Sequence, residues 1–348
     1  MTVPAPTVAW WCKTPSLTVA SVRIRAAQVM RELDRRGIRT LWYDPRRSAE
    51  VRALVLSRRY DDDTVAEVRR LQARGVRIVL DLCDNNFVPA SQAPKHMRKV
   101  ENLRTLAKLA DAITVSAVAL VAIVRDECPD AKPATVIGDL ADDLSIVPLP
   151  WYRRPAVAFK RRWERAWLER RAGAGVGRLV WFGNSGGMRR RSGLQDLAGI
   201  LDVLETLHRE RPLHLTVISN SRARYDELFG RTGFSSRYVE WDPWTSADLL
   251  RRQDVALIPA ADSSYTACKS DNRVATALAA GVAVVASPVP SYLPYRESIV
   301  LGDFAGGLRT YLADPARRRA DVSSGRQVAA RSTDAETIVG RWREVLAV

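Results

Sequence analysis

Two short runs in the second half of the chain hold residue types suited to an anion. The first, Gly183-Asn184-Ser185-Gly186-Gly187, leads into Arg189, Arg190 and Arg191. Glycines let a backbone approach a phosphate closely, and arginines offer bidentate charge. A plain strand-to-helix turn with solvated arginines is the competing reading. The second run is Lys269-Ser270-Asp271-Asn272-Arg273, followed by the helical stretch Val274–Ala280. Lys269, Ser270, Asn272 and Arg273 are therefore expected at a helix N-terminus, whose dipole favours a diphosphate. Asp271 or Ser270 acting only as an N-cap accounts for one member of the cluster and not the rest.

The first half offers carboxylates. In Arg77-Ile78-Val79-Leu80-Asp81-Leu82-Cys83-Asp84-Asn85 a β-rich run ends in Asp81, Asp84 and Asn85. A carboxylate at the carboxyl end of a parallel strand can orient a hydroxyl or take its proton, and Asp84 is the candidate catalytic residue. Strand-end capping by Asp and Asn is the competing reading. His96, at the start of a helix, and Arg23, on the first helix, are further candidates for the same side. A surface histidine and a solvated arginine are their alternatives. His208 and His214 read as structural.

Positioning these residues requires strands that end beside one another, because ligands of an open α/β sheet bind beyond the carboxyl ends of its strands. Strands are expected at Thr7–Trp11, Thr40–Tyr43, Ala53–Leu56, Arg77–Leu80, Ala112–Val115 and Ala134–Ile137. Helical patterns alternate with them at Val22–Arg36, Asp61–Arg74, Lys95–Leu109 and Ala117–Glu127, which predicts βαβ units and a parallel sheet. The rhythm breaks over Asp139–Gly177, where prolines and a glycine run bracket one helix. It resumes with strands at Leu179–Phe182, Leu213–Ile218, Tyr238–Trp241, Val255–Ile258 and Val282–Ala286 and a helix over Leu194–Arg209. Asp334–Leu346 closes the chain as an amphipathic helix with Ile338, Trp342 and Val345 on one face. The expected division is an N-terminal domain over 1–150, a linker helix over 151–177, a C-terminal domain over 178–332, and a helix over 333–348 that crosses back to the first domain.

A chain of 348 residues suits two such domains. Its 47% hydrophobic and 27% charged content argues against wholesale disorder. No run approaches the ~20 apolar residues of a membrane span. The first residues lack the features of a signal peptide, and Cys12, Cys83, Cys128 and Cys268 are scattered without metal-ligand spacing. A cytoplasmic protein with reduced thiols is expected. The formal charge of +15 points to an anionic partner. Coding bias competes with that reading, since arginine far outnumbers lysine.

The run from Asp254-Val255-Ala256-Leu257-Ile258-Pro259 to Ala279-Ala280-Gly281-Val282-Ala283-Val284-Val285-Ala286-Ser287 resembles the donor-binding region of GT-B glycosyltransferases of the large retaining, group 1 (family 4-like) superfamily. Val180-Trp181-Phe182-Gly183-Asn184 is similar to the opening of that family's C-terminal domain. Asp111-Ala112-Ile113-Thr114-Val115-Ser116 and Val136-Ile137-Gly138-Asp139 resemble two of its N-terminal strands, in the right order. The resemblance implies an α/β GT-B fold, two doubly wound Rossmann-like domains facing a cleft. One departure stands out. Many members carry two glutamates eight positions apart, which here fall at Cys268 and Thr276. A cluster of the pattern K-S-x-N-[KR] stands in their place, the mark of a divergent branch.

The resemblance implies transfer of a sugar from a nucleotide-diphosphate donor, with a UDP or GDP sugar as substrate and no cofactor. Lys269 would touch the diphosphate, and Ser270 and Asn272 would bond phosphate or ribose. Gly183, Asn184, Gly187, Arg191 and Arg273 complete the donor set; Asp81, Asn85, His96 and Arg23 join Asp84 on the acceptor side. No DxD-like metal site accompanies the donor loop, so catalysis without a metal is expected. Acceptors compatible with the charge are a glycan, a lipid-linked glycan or a hydroxylated base in DNA. Two alternatives stay open: a sugar-nucleotide epimerase, and a non-catalytic relative binding nucleic acid or anionic membrane. The linker helix bears on the second. Over 151–171 it mixes Trp151, Tyr152, Phe159, Trp163 and Trp167 with about eight basic residues against two glutamates. That composition suits peripheral membrane contact or nucleic acid. A connector packed on the second domain is the competing reading.

Overall fold

The computed structural model describes residues 7–46, 51–89, 91–186 and 192–348. The chain forms two compact units. Unit 1 comprises Met1–Ile146, Ala267–Ser270 and Ser332–Val348; unit 2 comprises Val147–Thr266 and Asp271–Arg331.

Unit 1 is built on six parallel strands: β1 (Thr7–Cys12), β2 (Arg39–Trp42), β3 (Ala53–Ser57), β4 (Arg77–Leu82), β5 (Ala112–Val115) and β6 (Ala134–Val136). Their order is β2-β1-β3-β4-β5-β6, so the strand order reverses between β1 and β3. The inner strands β1, β3 and β4 bury both faces, while the edge strands β2 and β6 do not. Ala9, Trp11, Leu54, Leu56, Ile78 and Leu80 enter one core, while Val8, Trp10, Ala53, Val55 and Val79 enter the other. Burial on both faces explains why these strands read as continuous apolar runs rather than alternating ones. The helix Ala335–Leu346 lays Ile338, Val339, Trp342 and Leu346 on the second core, with the Trp342 and Trp10 rings 5.9 Å apart. The first helix of the unit runs from Ala20 to Arg35 and contains a π turn over Arg23–Ala27.

Unit 2 repeats the plan with β7 (Gly177–Phe182), β8 (Leu213–Ser219), β9 (Ser235–Glu240), β10 (Val255–Ile258), β11 (Ala283–Ala286) and β12 (Val300–Leu301). The order β12-β11-β10-β7-β8-β9 is the Rossmann arrangement, with its reversal between β7 and β10. β12 is too short for its two residues to stand out in the sequence. The helix expected over Leu194–Arg209 is two helices, Leu194–Ala198 and Leu201–Glu210, separated at Gly199. The helix Arg154–Arg171 belongs to unit 2, where Val157, Glu164 and Leu168 are buried.

Candidate functional site

In open α/β sheets the crevice beyond the strand-order reversal is where ligands bind. In unit 2 that point is occupied by the segment after β7 and the segment after β10. Gly183 follows β7 directly, with φ +155°. A Cβ added there would stand 3.4 Å from the Trp181 ring and 3.7 Å from Arg273 Nη1. The guanidinium of Arg273 therefore lies beside the bare backbone of Gly183. Arg273 sits in the first turn of the helix Asn272–Ala279, and it makes no ion pair or hydrogen bond with the other described residues. Asp271 occupies the N-cap position without capping, because its carboxylate accepts from Tyr295 Oη at 2.7 Å. The N-terminal amides of that helix are thus left for another acceptor.

The turn after Gly183 is closed by its own chain. Asn184 Oδ1 accepts from Gly186 N at 2.9 Å, and Asn220 Oδ1 from Ser185 N at 2.8 Å. Gly186 and Gly193, both at positive φ, abut so closely that a Cβ on Gly186 would lie 1.9 Å from the Ser192 carbonyl oxygen. Asp196 ties this turn to the segment after β10, accepting from Gly193 N at 2.9 Å and from Ala261 N at 3.0 Å. Asp196 carries no motif, so its role is visible only in the fold. Gly187 and Arg191, with Arg189 and Arg190, lie outside the described residues.

In unit 1 the acidic end of β4 is largely internal. Asp81 is fully buried and holds Arg25, whose Nη2 donates to Asp81 Oδ1 at 2.6 Å. Arg25 Nη1 also donates to Asp139 Oδ1 at 2.9 Å and to the Ile137 carbonyl at 2.8 Å. Burial opposes the charge of Arg25, but Asp81 and Asp139 outweigh it and raise its pKa above the ordinary value. Thr114 Oγ1 adds a hydrogen bond to Asp81 at 2.8 Å. Asp81 is therefore a structural carboxylate that no acceptor hydroxyl can reach. Asn85 is buried too, and its Oδ1 accepts from Phe87 N at 3.2 Å, closing the turn after the strand.

Arg23 is neither solvated nor turned to a ligand. It is buried against Asp142, with Nε and Nη2 each 2.7 Å from a carboxylate oxygen. His96 is half-buried and shares a 2.6 Å hydrogen bond with Ser91 Oγ. Spacing carried no sign of Arg25, because its partners stand 56 and 114 positions away.

The segment Ala267–Ser270 is integral to unit 1 through three consecutive side chains. Cys268 is buried in the core that holds Leu82 and Phe87. Lys269 Nζ lies 2.5 Å from Asp84 Oδ1, and Ser270 Oγ donates to Asp139 Oδ2 at 2.7 Å. Lys269 and Ser270 thus bond to carboxylates of unit 1 in this structure, and the position counted for the earlier family glutamate is a core cysteine. Burial first, then the Asp84 charge, pushes the Cys268 thiol up to about 11 and the Cys83 thiol up to about 12. At the strand-order reversal of this unit stands Arg58, just beyond β3. Its φ of +56° is unusual for a residue with a side chain, and its Nη1 lies 3.3 Å from Ser21 Oγ. Nothing in the residue type announces such a backbone.

Two doubly wound parallel sheets of this kind define an α/β protein of the GT-B fold, and solved structures of that fold match the chain nearly end to end. A structure of Anabaena HepE in complex with UDP and glucose aligns with TM-score 0.66 at 12% identity, covering 98% of this chain and 99% of that one. Sucrose-phosphate synthase from Thermosynechococcus elongatus gives 0.65 at 14% identity over 98% and 99%. WaaG, a glycosyltransferase involved in lipopolysaccharide biosynthesis, gives 0.61 at 13% over 97% and 99%. No family model matches the chain, and no curated protein does. Among the described residues no helix is long and apolar enough to cross a membrane.

Proposed function

We propose that the chain is a glycosyltransferase that takes a sugar from a nucleotide-diphosphate donor and moves it to an acceptor hydroxyl. The observation that carries this reading is Arg273, set without a partner among the described residues beside Gly183 at the strand-order reversal of unit 2. A diphosphate placed there would meet the guanidinium and the uncapped amides of Asn272–Ala279 together. Both are pre-organised donors for charge that builds up as the sugar leaves, so the leaving group is stabilised without a metal. Lys269 is left out of this donor set because Asp84 already holds its ammonium.

The acceptor-side carboxylate of the reading is Asp84, since it is partly accessible where Asp81 is sealed. A UDP sugar is the first donor to try, because HepE is seen with UDP and with UDP-glucose. The formal charge of +15 favours an anionic acceptor. Calorimetric titration with UDP, GDP, ADP and dTDP sugars tests the donor. Glycosyl transfer to a lipid-linked glycan and to hydroxymethylated DNA, run side by side, tests the acceptor. Micromolar binding of one donor that Arg273→Ala abolishes is expected. If no sugar nucleotide binds at saturating concentration, the reading is wrong.

A further inference from the structure

The helix Arg154–Arg171 presents apolar residues on two opposite sides. One side is accounted for by packing within unit 2: Val157 and Leu168 are buried, Glu164 pairs with Arg237, and Trp167 lies 3.9 Å beneath the Arg237 guanidinium. The other side is not accounted for. Phe159 and Trp163 stand four apart on one face, 71% and 50% exposed, and Tyr152, in the 3-10 turn Trp151–Arg153 that leads into the helix, is 67% exposed. Trp151 is 77% exposed at the start of the same stretch. Among the described residues, four of the eight exposed large apolar side chains are these. Isolated exposed apolar residues need no explanation, but a cluster on one helix does.

The charges around the cluster say what covers it. Lys160 and Arg161 are spent on Asp242 and Asp248, and Arg165 on Glu169. Arg154, Arg162, Arg170 and Arg171 make no ion pair with any described residue, so the helix keeps a surplus of positive charge. Aromatic rings spread over roughly 16 Å, bordered by unpaired arginines, match a planar interface that is apolar below and anionic above. Trp and Tyr are the residues that settle at that depth. Stacking on nucleic-acid bases requires separately accessible ring faces, whereas Phe159 and Trp163 share one face of the helix.

We infer that residues 151–170 form a docking surface for an anionic phospholipid bilayer. The helix lies in the headgroup plane with Tyr152, Phe159 and Trp163 immersed, while the exposed Arg162 and Arg170 meet lipid phosphates. This surface is independent of the donor chemistry proposed above, because it is assayed with no nucleotide present.

The test is co-sedimentation of the full chain with vesicles of equal parts phosphatidylglycerol and phosphatidylcholine, against vesicles of phosphatidylcholine alone. Binding to the anionic vesicles that weakens with added salt is expected. Phe159→Ser with Trp163→Ser should weaken it at least about tenfold. Arg162→Glu with Arg170→Glu should weaken it about as much. All four positions are exposed, so both double variants should keep the Tm of the parent. Three results overturn the inference: no binding to anionic vesicles, unchanged binding by the Phe159/Trp163 variant, or a dimer in gel filtration that this variant dissociates. Duplex DNA that binds more tightly than the vesicles and is lost in the same variant also overturns it.

Discussion

Lys269 and Asp84, 185 positions apart, are joined by a 2.5 Å contact between ammonium and carboxylate. Sequence reasoning assigns Lys269 to a diphosphate and Asp84 to an acceptor hydroxyl; in the fold each satisfies the other. Their side chains are 28% and 16% exposed, so solvent tempers the pair without removing it. Replacing Lys269 by Met leaves a carboxylate in a mostly dry place, and about 1–2 kcal/mol of stability should be lost. Adding Asp84→Asn should restore part of it. A double-mutant cycle read by urea unfolding should give a coupling of about 1 kcal/mol. Strictly additive single losses would show that the pair does not hold the Ala267–Ser270 segment.

Arg25 is a harsher case. It is buried between Asp81 and Asp139, and it also satisfies the Ile137 carbonyl. Arg25→Met strands two carboxylates in the interior, and such a break costs about 3–5 kcal/mol. Arg25→Lys retains the charge but cannot reach three acceptors from one nitrogen with the same fork, so it should fall between Met and the parent. Chemical denaturation distinguishes the three. An Arg25→Met protein as stable as the parent would contradict the assignment of this triad as the buried polar anchor of unit 1.

Parallel sheets with both faces covered leave a plain trace in sequence, which is why β5 and β10 are legible to the residue and most other strands to within one or two. Both strand-order reversals follow from chain topology, which no local pattern encodes. The site was legible in part. Gly183 and Arg273 are picked out by local signals, a glycine after a strand and an arginine at a helix start, and the fold sets them beside one another. Asp81, Asn85 and Arg23 misled, since a polar residue at a strand end looks the same whether it faces solvent or a buried partner. Lys269 and Ser270 meet partners that their place in the sequence does not announce. They abut the helix start in sequence, yet their partners Asp84 and Asp139 are fixed by contacts across more than a hundred positions.

Arg273 and Gly183 give the most direct check on the donor proposal. Arg273 has no protein partner among the described residues, so Arg273→Ala should leave Tm within a degree or two while removing a charge-assisted contact to the donor. Such contacts contribute about 1.5–3 kcal/mol, so donor Kd should rise on the order of ten- to a hundredfold. Gly183→Val places a side chain at φ +155° between Trp181 and Arg273 and should weaken the donor similarly. Isothermal titration with the best sugar nucleotide decides the matter. Unchanged Kd in both variants would remove Arg273 from the donor site.

His214 supplies a pH signature that is independent of any ligand. Its ring is buried on β8, 5.2 Å from Trp167, and its Nδ1 shares a 2.8 Å hydrogen bond with Ser235 Oγ. Burial, with smaller contributions from Arg237 and Arg171, pushes its pKa down to about 4. The unfolded chain titrates near the ordinary value of about 6.5, so between these limits the unfolded state binds the extra proton. The stabilising effect of a neutral His214 is therefore complete above about pH 6.5 and is lost as pH falls toward 4. A shift of this size corresponds to about 3 kcal/mol. His214→Gln, which cannot take up that proton, should lose stability less steeply than the parent between pH 6.5 and 4.5 in parallel urea titrations. Equal slopes for the two proteins would mean that His214 is already protonated in the folded chain, against its buried place beside Arg237.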